Sequence, residues 1–214
     1  MLLSEEKRAE ALRILSELYP NPRPELNYTS PYELLVAVML SAQCTDKQVN
    51  KVTAELFKVA NTPEQMLSLG EEKLMDMIHS CGFFRMKGKH ILETSRILVE
   101  KYGGEVPADR DTLTELPGVG RKTANVVVSN AFHIPAIAVD THVFRVSNRI
   151  GLVDDIKEPK KVEMALWKIV PPEEGNALCH RLVLHGREVC TARTKPYCSR
   201  CVLSDICKSS EAFA

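Results

Sequence analysis

Apolar residues recur at helical spacing along most of the chain. Within each stripe they lie side by side, three or four positions apart, or two helical turns apart, as on one face of an α-helix. The stripes are Leu34, Leu35, Val38 and Met39; Val49, Val52, Leu56 and Phe57; Leu74, Met75 and Ile78; Ile91, Leu92, Leu98, Val99 and Tyr102; Ala124, Val127, Val128 and Ala131; Val143, Val146 and Ile150; and Val162, Leu166 and Ile169. No stretch shows sustained period-two alternation, so the pattern predicts an all-α protein with short loops.

Polar and glycine residues mark the predicted helix ends. Thr45 or Asp46 is a candidate N-cap after a polar loop, because a side-chain oxygen there accepts a free N–H of the first turn. Gly103-Gly104 and Gly151 end two of the stripes, as glycine commonly does at helix C-termini. A last helix is predicted from about Asn176 to His185.

Composition points to a globular protein that needs no membrane. Apolar residues make up 44% of the 214 residues and charged residues 26%, and a chain of this length forms one or two domains. The apolar run Leu34–Leu40 is too short to span a bilayer. Glu5 and Glu6 stand where a signal peptide would carry basic residues, so a cytoplasmic protein is expected.

The charge balance by itself does not identify a nucleic-acid-binding protein. The formal net charge is zero. The C-terminal segment is locally basic, with Arg181, Arg187, Arg193, Lys195, Arg200 and Lys208 against Glu188 and Asp205. A solvated face accounts for such an excess as well as a DNA-binding surface does.

The segment Leu116–Gly120, with the sequence Leu-Pro-Gly-Val-Gly, is predicted to be a tight turn between two helices. Pro117 ends the first helix, and the two glycines permit close approach of another backbone. The next helix begins near Arg121, so its free N–H groups and positive dipole end form an anion site that suits a DNA phosphate. A plain connecting turn remains the alternative.

Lys122 lies in the first turn of that helix. An amine nucleophile must be neutral, and the helix dipole supplies only about 0.3–1 kcal/mol toward that state, or up to roughly 2 in a partly buried site. Exclusion of water and the nearby Arg121 would have to supply the rest. Taken alone, Lys122 is better explained as a phosphate-binding or solvated lysine than as a nucleophile.

Asp140, in the segment 138–142, is a candidate N-cap for a helix that begins near Thr141. A cap would fix the direction of the carboxylate, so a structural and a catalytic role are compatible. An ionised Asp140 beside Lys122 would favour the charged amine, so the two should stay apart until substrate binds.

Four cysteines are spaced Cys190-x7-Cys198-x2-Cys201-x5-Cys207 near the C-terminus. Zinc sites usually pair two close-spaced knuckles across a longer gap, whereas this single compact loop fits a 4Fe-4S cluster better. Zinc remains the alternative. The other cysteines, Cys44, Cys81 and Cys179, lie singly among apolar positions and are interpreted as core thiols.

Several segments together resemble the endonuclease III family, the bifunctional base-excision glycosylases of the helix-hairpin-helix (HhH-GPD) superfamily. They are residues 40–46, 116–125 and 137–142 and the four terminal cysteines, and the resemblance covers nearly the whole chain. It implies a monomeric enzyme, associated with the nucleoid when bound. Such an enzyme removes oxidised pyrimidines from double-stranded DNA and cleaves abasic sites by β-elimination.

The resemblance also implies residue roles. Lys122 matches the Schiff-base nucleophile, and Asp140 matches the catalytic carboxylate. The four cysteines match the ligands of a 4Fe-4S cluster. The implied DNA contacts are Gln43, which fills the gap left by an extruded base; Phe83, a wedge in the opposite strand; the hairpin residues Gly118, Val119, Gly120 and Arg121; and His142 in the region of the active site and the DNA backbone. Without the resemblance, Gln43 would be interpreted as a polar loop residue, Phe83 as a core residue and His142 as a solvated histidine.

The family fold implies two domains. A six-helix domain over residues 24–134 would contain the hairpin, and a discontinuous domain of residues 1–23 and 135–214 would carry the cluster loop. Lys122 and Asp140 would then line opposite walls of a cleft.

The chain departs from the family pattern at two positions. Seven residues, Thr191–Tyr197, separate the first two cysteines where the family usually has six. The wedge position holds the aromatic Phe83 where the family often has an aliphatic residue, which bears on opposite-base preference.

Three alternatives remain at this point. A monofunctional glycosylase for adenine or thymine mispairs would share the superfamily fold, although adenine glycosylases generally lack the hairpin lysine. A non-catalytic helix-hairpin-helix module would bind DNA without using Lys122. A zinc-stapled binding protein would use the cysteines structurally.

Overall fold

The computed structural model describes residues 2–213, and these contain helices and no strand. The α-helices are α1 (Glu5–Leu18), α2 (Pro31–Ser41), α3 (Asp46–Val59), α4 (Pro63–Leu69), α5 (Glu71–Ile78), α6 (Phe84–Tyr102), α7 (Arg110–Thr114), α8 (Arg121–Ala131), α9 (Thr141–Ile150), α10 (Pro159–Leu166) and α11 (Gly175–Glu188), with 3-10 turns at Pro172–Glu174, Cys198–Arg200 and Glu211–Phe213. The predicted all-α class is confirmed. Within the described range, no helix has the length and apolar character needed to cross a membrane.

The chain divides into two compact units. One is continuous, Pro24–Ile134, and contains α2 to α8. The other combines Met1–Arg23 with Pro135–Ala214 and contains α1 and α9 to α11, together with the four C-terminal cysteines.

The continuous unit is built around α2, whose residues from Tyr32 to Leu40 are all buried. A helix that is apolar on every side needs neighbours on every side, and α3, α6 and α8 pack against it. The buried polar residue Glu33 accepts hydrogen bonds from the N–H and the hydroxyl of Thr29, at 2.6 and 2.9 Å. This core fixes the loops at the two ends of α2.

The discontinuous unit packs α9 and α1 against α11. Its core includes Ala11 and Leu15 from α1, Val143 and Val146 from α9, and Leu182 from α11, all without solvent exposure. The N-terminal helix is therefore an integral part of the unit that carries the cysteines.

Most predicted helix ends are confirmed. The Thr45 hydroxyl caps α3 by accepting from Gln48 N at 3.3 Å. Gly103 and Gly151 end α6 and α9 in the left-handed conformation, with φ of 61° and 94°. One stripe was extended too far: α10 stops at Leu166, and Ile169 lies in the following turn. The consecutive prolines 171 and 172 shortly beyond it disfavour a longer helix.

Candidate functional site

The predicted turn before Lys122 is present and closely fixed. Leu116 N donates to Leu113 O and Val119 N donates to Leu116 O, each at 3.1 Å. Pro117 and Gly118 are the two central residues of the second turn, and Gly118 has φ of 75°. This is the arrangement of a type II turn, where proline sets the first central φ and glycine supplies the positive one.

Helix α6 packs against the turn. Thr94 Oγ1 donates to Pro117 O at 3.0 Å. A Cβ atom added to Gly118 would lie only 2.8 Å from Nδ1 of His90, so close packing and backbone conformation both require glycine here. The hairpin is therefore held by contacts within the continuous unit.

The N-terminus of α8 has the properties of an anion site. Gly120 is its N-cap with φ of −88° and ψ of 172°, and no described side chain caps it. Its first turn holds no acidic residue but does carry Arg121 and Lys122. Cations at the positive dipole end do not stabilise a helix, so the placement of Arg121 and Lys122 is compatible with an anion-binding role. The Lys122 side chain is exposed, and that of Arg121 is half-buried.

Gln43 and Phe83 lie at the tips of two neighbouring loops. Both adopt left-handed backbone conformations, with φ of 54° and 57°. A Cβ atom added to Gly82 would be 3.4 Å from Gln43 O, which brings the two loops into contact. Phe83 is 59% exposed, so core packing does not explain it. Strained non-glycine residues with exposed side chains often mark functional positions.

Asp140 caps α9 as predicted. Its Oδ1 accepts from Val143 N at 2.7 Å, and its carbonyl accepts from Phe144 N at 2.9 Å. The side chain is half-buried, and among the described residues Val143 makes its only hydrogen bond to the carboxylate. The cap therefore holds one oxygen and leaves Oδ2 available.

His142 is linked to the first cysteine through Arg145, which sequence reasoning missed. Arg145 Nη2 lies 3.1 Å from His142 Nδ1 and donates to Gly186 O at 2.9 Å, and Arg145 Nε donates to Cys190 O at 3.2 Å. Burial lowers the pKa of His142, and Asp140 opposes this shift. The basic residues spaced four apart on α9, Arg145 and Arg149, were the sequence signal for this network.

The structure brings the four C-terminal cysteines together. Cys190, Cys198, Cys201 and Cys207 all line one pocket that is partly open to solvent. Among residues 2–213, no three His, Cys, Asp or Glu side chains are grouped to hold a single metal ion. Four cysteines in one compact loop, with no histidine among them, are nevertheless a donor set that suits a 4Fe-4S cluster, because a cube must be ligated from several sides.

The pocket provides groups that can stabilise sulfur ligands. Arg149 Nη1 is 3.6 Å from Cys190 Sγ and donates to Thr191 O at 2.7 Å, while its guanidinium stacks 4.8 Å from the Phe213 ring. His185 Nε2 is 3.6 Å from Cys201 Sγ, and burial lowers the pKa of His185 to about 4. A neutral imidazole can donate its N–H to a thiolate.

The surroundings of two of the cysteines favour the neutral thiol over the thiolate. Burial raises the pKa of Cys201 and of Cys207, and the neighbouring cysteine charges raise each further. Because cysteine binds metal as the thiolate, the positive charge of a bound metal is needed to displace the thiol protons. Four cysteines that line one pocket, with Arg149 and His185 beside two of the sulfur atoms, fit an iron–sulfur cluster.

The extra residue between the first two cysteines is absorbed locally. Thr191 Oγ1 lies 3.0 Å from Thr194 Oγ1 and donates to Thr194 O at 3.2 Å, which closes the loop on itself. Tyr197 N then donates to Val189 O at 3.0 Å and returns the chain to the end of α11. Cys190 and Cys198 therefore both reach the pocket despite the longer spacing.

Comparison with known proteins defines the class. Residues 36–172 match the family described as HhH-GPD superfamily base excision DNA repair protein. The matched range contains the hairpin, Lys122 and Asp140, so the elements described above belong to a repair-enzyme framework.

The relatives define the branch within that class. Endonuclease III of Escherichia coli (strain K12) is 51% identical over 209 residues, which cover 98% of each chain. The structure of a trapped covalent intermediate of endonuclease III with DNA matches with a TM-score of 0.94 and 45% identity, covering 99% of both chains. A thermostable thymine-DNA glycosylase matches at 0.86 and 25%, covering 97% of this chain and 98% of its own. The chain belongs to the endonuclease III family of base-excision DNA-repair enzymes.

Proposed function

We propose that this chain removes oxidised pyrimidines from double-stranded DNA and cleaves the resulting abasic site by β-elimination, with Lys122 as the nucleophile. The observation that carries the proposal is Lys122 itself: an exposed amine directly after a fixed hairpin, on a helix N-terminus that no described side chain caps. A lysine placed there for stability alone would be at the wrong end of the helix dipole.

The hairpin binds the DNA backbone. The N–H groups around Gly118, Gly120 and the first turn of α8 donate to a phosphate, and Arg121 adds positive charge. These contacts position the duplex without reading its sequence. The exposed Gly120 has no atom within 4 Å of an added Cβ, so the phosphate can approach the backbone closely.

Gln43 and Phe83 act on the duplex once it is bound. The damaged nucleotide must leave the base stack before any group can reach its sugar carbon. Gln43 fills the vacated space with a polar side chain, and Phe83 wedges or stacks against the opposite strand. Their shared exposure and strained backbone geometry support this role.

The chemistry then uses an amine and a carboxylate. Asp140 assists departure of the damaged base, and the neutral Lys122 Nζ attacks C1′ of the sugar as the bond from C1′ to the base breaks. The attacking nitrogen loses a proton and the departing base gains one. Protonation of the ring oxygen as its bond to C1′ opens then leaves a protonated imine. Removal of a C2′ proton then expels the 3′ phosphate and cuts the strand. Since Lys122 is exposed in the unbound protein, the bound DNA must exclude water from it.

A 4Fe-4S cluster is assigned to Cys190, Cys198, Cys201 and Cys207. When bound, the cluster supplies four metal–sulfur bonds that tie the C-terminal loop together. Arg149 and His185 stabilise the ligand sulfurs, and Arg145 fixes the Cys190 carbonyl. Through Arg145 the same loop is connected to His142.

The decisive test is borohydride trapping on duplex DNA that carries an oxidised pyrimidine. The native protein should form a covalent adduct, and Lys122→Ala should form none. Lys101→Ala, which changes an exposed lysine in the last turn of α6, should behave as the native protein. Base release without an adduct would identify a monofunctional glycosylase. Tight binding without release would identify a DNA-binding module, and a colourless metal-loaded protein would favour zinc.

A further inference from the structure

Lys87 is an unusual buried charge in the continuous unit. Its side chain belongs to a residue only 5% exposed, and Nζ donates to Leu40 O at 2.8 Å. Burial lowers the pKa of Lys87. Lysine is almost never fully buried unless its charge has a partner, because desolvation of the ammonium group costs free energy. The bond from Lys87 to Leu40 is therefore expected to stabilise the structure around it.

The hydrogen bond joins the bases of the two exposed loops. Leu40 is in the last turn of α2, where carbonyls lack helical donors and the dipole end is negative, so a cation is favoured there. Gln43 follows three residues later. Lys87 lies one turn into α6, and its own N–H donates to Phe83 O at 3.1 Å. One side chain thus connects the segment before Gln43 with the helix that begins after Phe83.

Other contacts occur at the same junction. The backbone of Gly82 approaches Gln43 O, as described above. Gln48 Nε2 donates to Ser80 Oγ at 2.8 Å, 32 residues away along the chain. Burial raises the pKa of the Cys81 thiol, and its interaction with the thiol of Cys44 raises it further. The two loops therefore form one connected structure, and the bond from Lys87 to Leu40 is its buried, charge-assisted hydrogen bond.

Gln43 and Phe83 both need such support. Left-handed backbone conformations are unfavourable for glutamine and phenylalanine, and they persist only where the surroundings impose them. We propose that Lys87 is a positioning residue that holds Gln43 and Phe83 together in the arrangement that enters the duplex. This inference rests on the proposed function, since it assigns the two loops to extrusion of the damaged nucleotide.

The test compares duplex with single-stranded abasic DNA as substrates for borohydride trapping. A single strand has no opposite strand to wedge and no paired stack to fill, so it does not depend on the two loops. Lys87→Met keeps the length of the side chain and removes the charge. We expect it to slow trapping on the duplex by about tenfold or more, and to leave the single-stranded rate within about twofold.

Two controls make the result specific. Lys101→Met removes an exposed charge from the far end of the same helix and should change neither rate. Lys87→Arg retains a buried cation and should recover part of the duplex rate. Equal slowing on both substrates, or no slowing on either, would overturn the positioning role of Lys87.

A second variant decides the matter if Lys87→Met does not fold. Gln48→Ala removes the Gln48–Ser80 hydrogen bond at the solvent-facing side of the junction. A loss confined to duplex DNA supports the proposal, and an equal loss or no loss contradicts it. If the native protein is trapped on neither substrate, the proposed lyase function has failed, which is a different outcome from a failure of the Lys87 assignment.

Discussion

The hairpin and the cysteine loop obtain their order in different ways. The hairpin is fixed by bonds that the polypeptide makes for itself, from Val119 N to Leu116 O and from Thr94 Oγ1 to Pro117 O. The loop from Cys190 to Cys207 also makes hydrogen bonds of its own, such as Tyr197 N to Val189 O and Cys207 N to Leu203 O, but its four cysteines line a pocket that is partly open to solvent. The hairpin is held by hydrogen bonds within the protein, whereas the cysteine loop also brings four potential metal ligands to one pocket.

The difference follows from what each region contains. Burial of thiols that raise each other's pKa opposes their ionisation until metal is present. Metal binding then contributes to folding, because the site does not exist in the unfolded chain. The hairpin carries no such requirement, so its geometry should persist when the cluster is absent.

Removal of a cysteine ligand gives the largest expected effect. Cys198→Ala should abolish the brown colour of the cluster and destabilise the loop by more than about 4 kcal/mol, as loss of a metal site commonly does. Hydrogen exchange should rise over residues 190–207 and stay unchanged over 113–124. Cys179→Ala, a core cysteine outside the pocket, is the control and should remain coloured. Loss of protection in the hairpin as well would show that the two regions do not order independently.

Substitutions of Asp140 can separate its role as the N-cap of α9 from a role in catalysis. Asn caps helices as well as Asp does, so Asp140→Asn should preserve stability while it removes the charge. The rate of base release should fall by about 10²- to 10⁴-fold, the usual contribution of a positioned acid or base. Asp140→Ala should lose about 1 kcal/mol of stability in addition. Unchanged single-turnover base release in Asp140→Asn would exclude a catalytic carboxylate.

The two hairpin glycines form a matched pair. Gly118→Ala places a Cβ 2.8 Å from His90 Nδ1 at a positive φ, and should lower the free energy of unfolding by about 1–3 kcal/mol. Gly120→Ala meets open space and should change it by less than about 0.5 kcal/mol. Denaturant unfolding measures both. Gly120→Ala should nevertheless weaken DNA binding in a salt-dependent titration, and unchanged binding would place the phosphate elsewhere.

Substitution of Thr191 should give the smallest change in stability. Thr191→Val removes the hydroxyl that closes the loop between the first two cysteines, which should cost about 0.5–1.5 kcal/mol. The cluster should still form but lose its colour faster under a chelator than in the native protein. Thr141→Val, at the start of α9 and outside the loop, is the comparison. Equal rates of colour loss would mean that the closed loop does not protect the cluster.

The sequence by itself determined the helical class, most helix ends and the identity of the chemical groups. Period-3.6 stripes and caps such as Thr45 and Asp140 depend on residues within one or two turns, so they can be recognised without the fold. The stripes did not single out α1, α4 or α7. Only Ala11 and Leu15 of α1 are buried, and α4 and α7 have seven and five residues, too short for a clear period.

The tertiary structure decided which of these groups meet. The contacts of Lys87 with Leu40 and of Arg145 with Cys190 span 47 and 45 residues, and no local pattern encodes such a distance. The same holds for the exposure of Phe83, which sequence patterning alone would assign to the core. Local hydrogen bonds and helical periodicity depend on residues that are close together in the sequence. Long-range partners emerge only when the packing of whole helices brings them together.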